Sequence, residues 1–121
     1  MSELRVDNVT RRQTLIGAGR VAVSFWARLR GLIGSKPLEQ GEGLLIIPCN
    51  SIHTHFMSFP IDVLFVSQEQ KVVAVQQALQ PWRFGGTHRA ARFVIELPAG
   101  TVADSSTQPG DQLQVRGYDL S

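Results

Sequence analysis

The residues best suited to chemistry lie close together in the middle of the chain. The single cysteine, Cys49, is followed by His53 and His55. Thiol and imidazole groups are ligands that zinc and similar metals prefer. The β-branched and aromatic side chains around the histidines predict an extended strand over residues 51–57, which would direct both imidazoles to one face. The segment therefore predicts a site at which His53 and His55 contact a ligand or share a divalent metal ion.

Strand geometry limits how many of these groups one metal ion can hold. An extended strand advances about 3.3 Å per residue, so His53 and His55 would lie roughly 7 Å apart. Cys49 and His53 would lie roughly 13 Å apart, whereas zinc binds its ligands at about 2.0–2.3 Å. A further ligand would therefore come from His88, or from Cys49 if the chain bends near Pro48.

Asp62 interrupts an otherwise apolar strand predicted over residues 61–66. A carboxylate beside apolar neighbours must be hydrogen-bonded, paired or near solvent. We favour a structural role in which Asp62 accepts backbone N–H groups or pairs with an arginine. In the alternative, it orients His53 or His55 or acts as a general base. Together with Cys49, these groups define the competing hypothesis of a metal-dependent or thiol-dependent enzyme.

A second group of candidates lies in the irregular segment 78–91. Trp82 and Phe84 flank Arg83, and His88 follows shortly after two glycines. Aromatic and arginine side chains in one loop are suited to stacking on a ring, sugar or base and to holding an anion. We therefore predict a pocket for a small polar or anionic ligand, with carbohydrate as one candidate class. Its predicted ligand-binding residues are His53, His55, Asp62, Trp82, Arg83 and His88.

Short alternating segments separated by turn signals predict a mainly β (α+β) fold. The expected architecture is a compact, barrel-like antiparallel or mixed sheet with one or two short helices. The segment Gly17-Ala18-Gly19-Arg20 predicts a turn, and Ser24 is a predicted N-cap for an amphipathic helix that ends at Gly34. The predicted strands cover residues 4–9, 13–16, 21–24, 44–47, 51–57, 61–66, 71–76, 92–98 and 112–116, with a helical turn at 101–106.

Composition indicates one domain spanning residues 1–121. Hydrophobic residues make up 43% of the chain and the formal net charge is +2, which is typical of a globular protein rather than a disordered one. There is no signal-peptide pattern and no apolar run of the ~20 residues that a membrane span needs, so we expect a cytoplasmic protein. Basic residues in the N-terminal third leave a protein or nucleic-acid interaction module as a further hypothesis. It ranks last because no nucleic-acid motif is present, and the pattern carries no signal for an oligomeric state.

Five ordered blocks resemble one known family. They are Leu29–Gly34, Gly41–Leu45, Phe56-Met57 with Pro60–Phe65, Glu96–Gly100, and Gly110-Asp111. The set resembles the family called domain of unknown function 192 over residues 20–116. The resemblance implies a compact, mainly β, barrel-like domain with short helices, and it implies no established reaction. The positions that match the family's recurring block are Phe56, Met57, Pro60 and Asp62, whereas His53 and His55 belong to a variant form of it.

Overall fold

The computed structural model describes residues 3–24, 27–28 and 31–120. Within these ranges the chain forms nine strands and one short helix. The strands are β1 (Leu4–Asn8), β2 (Gln13–Ala22), β3 (Glu42–Ile46), β4 (Ser51–His53), β5 (Ile61–Val66), β6 (Val72–Leu79), β7 (Phe84–Thr87), β8 (Phe93–Pro98) and β9 (Leu113–Arg116), and the helix is α1 (Thr101–Ser105).

Seven strands form one sheet in the order β6-β5-β8-β3-β2-β1-β9, while β4 and β7 form a separate antiparallel pair. Neighbours in the large sheet are antiparallel except for β2 and β3, which are parallel. The large sheet curls into a half-barrel. Its two edges meet at an isolated bridge between Lys71 and Gln112, where the Val72 N–H donates to the Asp111 carbonyl at 2.9 Å. The predicted barrel-like, mixed-sheet fold is confirmed.

Both faces of the central strands are covered. In β5, Leu64 and Val66 pack into one hydrophobic cluster, whereas Ile61, Val63 and Phe65 pack into a second cluster on the other face. All six residues of β5 are buried. A polar side chain on β5 or on its neighbour β8 is therefore buried whichever face it occupies.

The buried carboxylate of Asp62 joins two elements, β6 and α1. Its Oδ1 accepts from the Ala78 N–H at 2.8 Å, and its Oδ2 accepts from the Gly100 and Val102 N–H groups at 3.1 and 2.8 Å. The carboxylate thus ties a bulge in the β5–β6 pairing to the start of α1. These bonds are the backbone-accepting, structural role that the sequence favours for Asp62.

The predicted turn at Gly17–Arg20 is wrong, because β2 runs through it without a break. The hairpin turn lies earlier, and Arg12 has a positive φ of 57° there. A Cβ on Gly19 would lie 2.6 Å from Ile16 Cγ2 and 3.0 Å from the Gly43 carbonyl oxygen. Glycine is therefore required in this strand by close packing, and the same residue type misleads a turn prediction.

The predicted strand over 51–57 is also too long. Strand β4 ends at His53, and Phe56 has a positive φ of 67°, far from the extended backbone of a regular strand. The segment predicted as irregular instead contains β7, which pairs with β4. The predicted helix near Ser24 falls partly outside the described residues; within them, Ser24 Oγ accepts from the Ala27 N–H at 3.1 Å, which confirms the N-cap.

Gly43→Ala is expected to destabilise the domain by about 1–3 kcal/mol, the usual cost of overpacking a core. Its Cβ would lie 2.5 Å from Ile16 Cδ1 and 3.0 Å from the Glu96 carbonyl oxygen. Gly17→Ala is the matched control, since nothing lies within 4 Å of a Cβ there. Urea denaturation of both variants tests this. Equal stability of the two variants would show that Gly43 is not confined by its neighbours.

Candidate functional site

Loops that border β4 and β7 carry an exposed surface that we call the aromatic platform. It consists of His53, His55, Phe56, Trp82 and Phe84. Phe56, Trp82 and Phe84 are 65%, 53% and 66% exposed, although aromatic side chains of this size usually bury most of their surface. His53 and Phe84 are cross-strand partners in the β4–β7 pair. Clustered exposed apolar side chains of this kind mark binding surfaces.

Four of the five platform rings form a chain of contacts, and Phe84 lies opposite His53 across the β4–β7 pair. The His53 and His55 ring centroids lie 5.3 Å apart, and those of His55 and Trp82 lie 5.8 Å apart. Phe56 and Trp82 meet edge to face at 4.6 Å. These separations fall in the range of favourable ring pairs, so the platform is a connected surface rather than isolated side chains.

One fully buried residue, Thr54, fixes the backbone beneath the platform. The Thr54 N–H donates to the Arg83 carbonyl at 2.8 Å, and the Trp82 N–H donates to the Thr54 carbonyl at 2.9 Å. The Thr54 hydroxyl donates to the Gln80 carbonyl and accepts from the Arg83 N–H at 2.9 Å. Both loops are thereby held in register.

Two of the three most exposed rings stand on strained backbone. Phe56 and Trp82 have φ values of 67° and 65°, in the left-handed region that bulky residues avoid. Such residues persist only where the surroundings over-determine them, and they cluster at ligand sites. The hydrogen bonds of Thr54 supply that constraint.

A small cavity lies next to the platform, and His53 borders both. The cavity has a volume of about 60 Å³ and is bordered by β3, β4 and β8. Its polar lining comes from Arg28, Cys49, Ser51, His53 and Glu96. Its apolar walls include Leu32, Ile46, Ile52 and Met57.

Two acidic groups of the cavity are neutral at pH 7. Burial raises the pKa of Glu96 to about 8. Burial, with a smaller contribution from Glu96, also raises the pKa of the Cys49 thiol. Cys49 Sγ donates to the Ser51 carbonyl at 3.0 Å. A partly buried, neutral thiol is not the thiolate that nucleophilic catalysis uses, so this geometry does not favour the thiol-dependent hypothesis.

The predicted ligand-binding residues are divided between separate places. His53, His55 and Trp82 come together on the platform, with the exposed Arg83 beside them. Asp62 does not join them, because its two oxygens are bound to the backbone around α1 and β6.

His88 also lies apart from the platform contacts. Its ring packs against Phe65 at a tilt of 54°, with the centroids 4.3 Å apart. The backbone N–H of His88 donates to the Asn50 carbonyl at 2.8 Å. Within the part of the chain that the structure describes, no group of three or more His, Cys, Asp or Glu side chains is placed to hold a metal ion. His53 and His55 form a pair, whereas a catalytic zinc commonly has three protein ligands.

Comparison with known families accounts for almost the whole chain. The family model DUF192, described as "Uncharacterized ACR", matches residues 8–115. The chain belongs to the DUF192 family. The matched span contains every residue of the aromatic platform and of the polar cavity lining, and it confirms the resemblance seen in the sequence blocks.

Archaeal DUF192 relatives are similar over most of their length. The chain is 32% identical over 112 residues to the UPF0127 protein PF1050 of Pyrococcus furiosus, covering 88% of this chain and 94% of that protein. It is 33% identical over 114 residues to UPF0127 protein PH1112 of Pyrococcus horikoshii, covering 90% and 96%.

Two solved structures share this DUF192 fold. A protein from Sinorhizobium meliloti, named as a candidate transcription regulator, superposes with a TM-score of 0.78 at 22% identity over 96% of this chain and 94% of its own. A protein of unknown function from Novosphingobium aromaticivorans superposes with a TM-score of 0.76 at 18% identity over 93% and 83%. At these identities the likeness establishes the fold alone. In the described ranges of this DUF192 domain, no helix combines the length and apolar character needed to cross a membrane.

Sequence reasoning missed Glu96 and Arg28 as site residues of this DUF192 domain. Glu96 lies on β8, which pairs with β3 on one side and β5 on the other. A charged residue in a strand with two partners and apolar neighbours on both sides is the available signal for a buried acid. Nothing comparable marks Arg28, whose position depends on how its segment packs onto the sheet.

Proposed function

We propose that this DUF192 domain binds a small polar ligand on the aromatic platform, with a carbohydrate as the class that the platform fits best. One observation carries the proposal. Phe56 and Trp82 present two exposed rings 4.6 Å apart, both on left-handed backbone that the buried Thr54 holds in place. A rigid aromatic surface loses little conformational entropy on binding, which favours affinity.

The chemistry of the rim supports a ligand that is both apolar and polar. A sugar ring offers C–H groups that pack on an aromatic face and hydroxyl groups that need hydrogen bonds. His53 and His55 can donate or accept through their ring nitrogens. The exposed guanidinium of Arg83, whose Nη1 lies 3.5 Å from the Trp82 carbonyl, adds donors and a positive charge beside Trp82. That charge would favour an anionic sugar over a neutral one of the same shape.

Trp82→Ala is expected to weaken ligand binding tenfold or more, since loss of a central aromatic contact commonly costs about 2 kcal/mol. Stability should change by less than about 0.5 kcal/mol, because Trp82 is exposed. A glycan array identifies the ligand, and calorimetry with that glycan measures the change in Kd.

Tyr118→Ala is the matched control for this variant. Tyr118 is an exposed aromatic residue that borders a different surface, beside Leu4 and Gly117. Its variant should bind the glycan as the unmodified protein does. The proposal is overturned if the protein binds no glycan on the array, or if Trp82→Ala binds as tightly as Tyr118→Ala.

A further inference from the structure

The buried carboxyl group of Glu96 is the most unusual polar group in the described part of the chain. Glu96 is 1% exposed, and its Oε1 has no hydrogen-bond partner among the described residues. Native proteins pair nearly all such buried atoms with protein, water or ligand. Glu96 also lines the 60 Å³ cavity, so a molecule that enters the cavity lies beside this carboxyl group.

Arg28 also lines the cavity and has a second buried polar atom without a partner in the described ranges. Its Nη1 donates to the Pro48 carbonyl at 3.2 Å, which holds the guanidinium in place. Its Nε is buried and has no partner among the described residues. The cavity thus has an N–H donor that carries positive charge and a carboxyl group, each with an unused hydrogen-bonding position.

The size and walls of the cavity define the class of molecule that fits. A single water needs about 10–15 Å³ by this measure, so 60 Å³ accommodates a few atoms rather than a sugar or nucleotide. Leu32, Ile46 and Met57 line the remainder with aliphatic surface. The matching ligand is therefore short, with a polar end and an alkyl end.

The charges of the groups that line the cavity indicate whether the polar end of the ligand is anionic, neutral or cationic. Apart from Glu96, the titratable or charged groups on the cavity are Arg28, Cys49 and His53. Burial keeps Glu96 protonated at pH 7 because it raises the pKa to about 8, and the Cys49 thiol is likewise neutral. Arg28 thus gives the cavity a positive charge, which attracts an anion and repels a cation.

We propose that this cavity binds a short-chain monocarboxylate, with Arg28 Nε–H donating to one carboxylate oxygen and the Glu96 carboxyl group donating to the other. This site is independent of the aromatic platform, so either proposal can fail alone. The shared border at His53 places the two sites side by side.

Titration with sodium acetate, propionate and butyrate tests the proposal, followed by the amide NMR signals of Cys49 and Leu97. We expect saturable shifts with acetate or propionate and none with acetamide, which has the same shape but no charge. Binding needs protonated Glu96, so Kd should rise about tenfold from pH 7 to pH 9 around the pKa of about 8.

Four variants assign the effect to named residues. Arg28→Gln should weaken acetate binding more than tenfold, whereas Arg89→Gln, at an exposed arginine outside the cavity, should leave it unchanged. Glu96→Gln keeps a donor and should bind acetate within a few-fold of the unmodified protein, but with no rise in Kd at pH 9. His53→Gln should retain that rise. The proposal is overturned by non-saturable shifts, by equal binding of acetamide, or by unchanged binding in Arg28→Gln.

Discussion

Asp62→Ala is expected to lower the free energy of unfolding by about 2–4 kcal/mol, a large share of the roughly 5–15 kcal/mol available to a small domain. The carboxylate is 1% exposed and accepts three backbone N–H groups from two elements. The Val102 N–H is buried and would lose its acceptor, whereas Ala78 and Gly100 lie at exposed positions where water can replace the lost bond. The buried amide therefore accounts for most of the cost.

Urea denaturation, read by circular dichroism, measures this change, and two further variants show its origin. Asp62→Asn preserves the volume but turns one acceptor into a donor facing N–H groups, so it should also destabilise the domain. Asp104→Asn alters an exposed carboxylate on α1, the helix to which Asp62 binds, and should change stability by less than about 0.5 kcal/mol. If Asp62→Ala and Asp104→Asn have similar stabilities, the carboxylate does not hold α1 to the sheet.

Period-two patterning predicted the central strands because local preference and tertiary environment agree there. The segments at β5 and β8 carry apolar, mostly β-branched or aromatic residues, and the structure confirms both. Phe93, Ile95 and Leu97 share one hydrophobic cluster, as their alternation predicts. The family blocks run through these same strands, so the overall fold could be read from the sequence.

The platform could be predicted only in part, because its shape depends on contacts distant in the sequence. His53, His55 and Trp82 were predicted from residue type and do come together. Their arrangement does not come from an extended strand, which ends at His53. It comes from Thr54, whose partners lie about thirty residues further on, at Gln80 and Arg83. No local sequence pattern predicts that Thr54 will bind residues so distant in the sequence.

Glu96 shows the opposite case, in which the local pattern conceals the burial of a carboxyl group. An alternating strand with one glutamate is typical of a half-exposed sheet, with the charge facing water. Because β8 lies between β3 and β5 and both faces of the sheet are covered, the carboxyl group is buried instead. The acid is therefore visible only once the strand order is known.

This burial predicts that the domain loses stability as pH rises. Glu96 has a pKa of about 8 when folded, against an ordinary value of 4.5 that applies when the chain is unfolded. Below about pH 4.5 both states hold the proton, and the contribution of Glu96 to stability is largest. Between the two values the unfolded state releases the proton more readily, so the free energy of unfolding falls by up to about 1.4 kcal/mol per pH unit. The total loss above pH 8 is on the order of 4 kcal/mol.

Two carboxylates, Asp7 and Asp111, have lowered rather than raised pKa values, and they do not affect stability in the pH range where Glu96 titrates. Arg5 and Thr14 hydrogen bonds lower the pKa of Asp7 despite its burial, and Arg11 and Asn8 do the same for Asp111. A lowered pKa adds stability that is present above the ordinary value of 3.8 and is lost as pH falls through the folded value. Their contribution is therefore constant above about pH 5, where Glu96 acts.

Glu96→Gln should abolish the decline, since a glutamine has no proton to lose. We expect its free energy of unfolding to be nearly constant from about pH 5 to about pH 9 and to exceed that of the unmodified protein at the upper end. Glu69→Gln, at an exposed position, should keep the decline. Urea denaturation at each pH, in buffers free of carboxylates so that no ligand enters the cavity, measures the slope. If the decline persists unchanged in Glu96→Gln, another group causes the pH dependence and Glu96 is ionised in the folded protein. An ionised Glu96 could not donate to a bound carboxylate, so this result would also contradict the proposed carboxylate site.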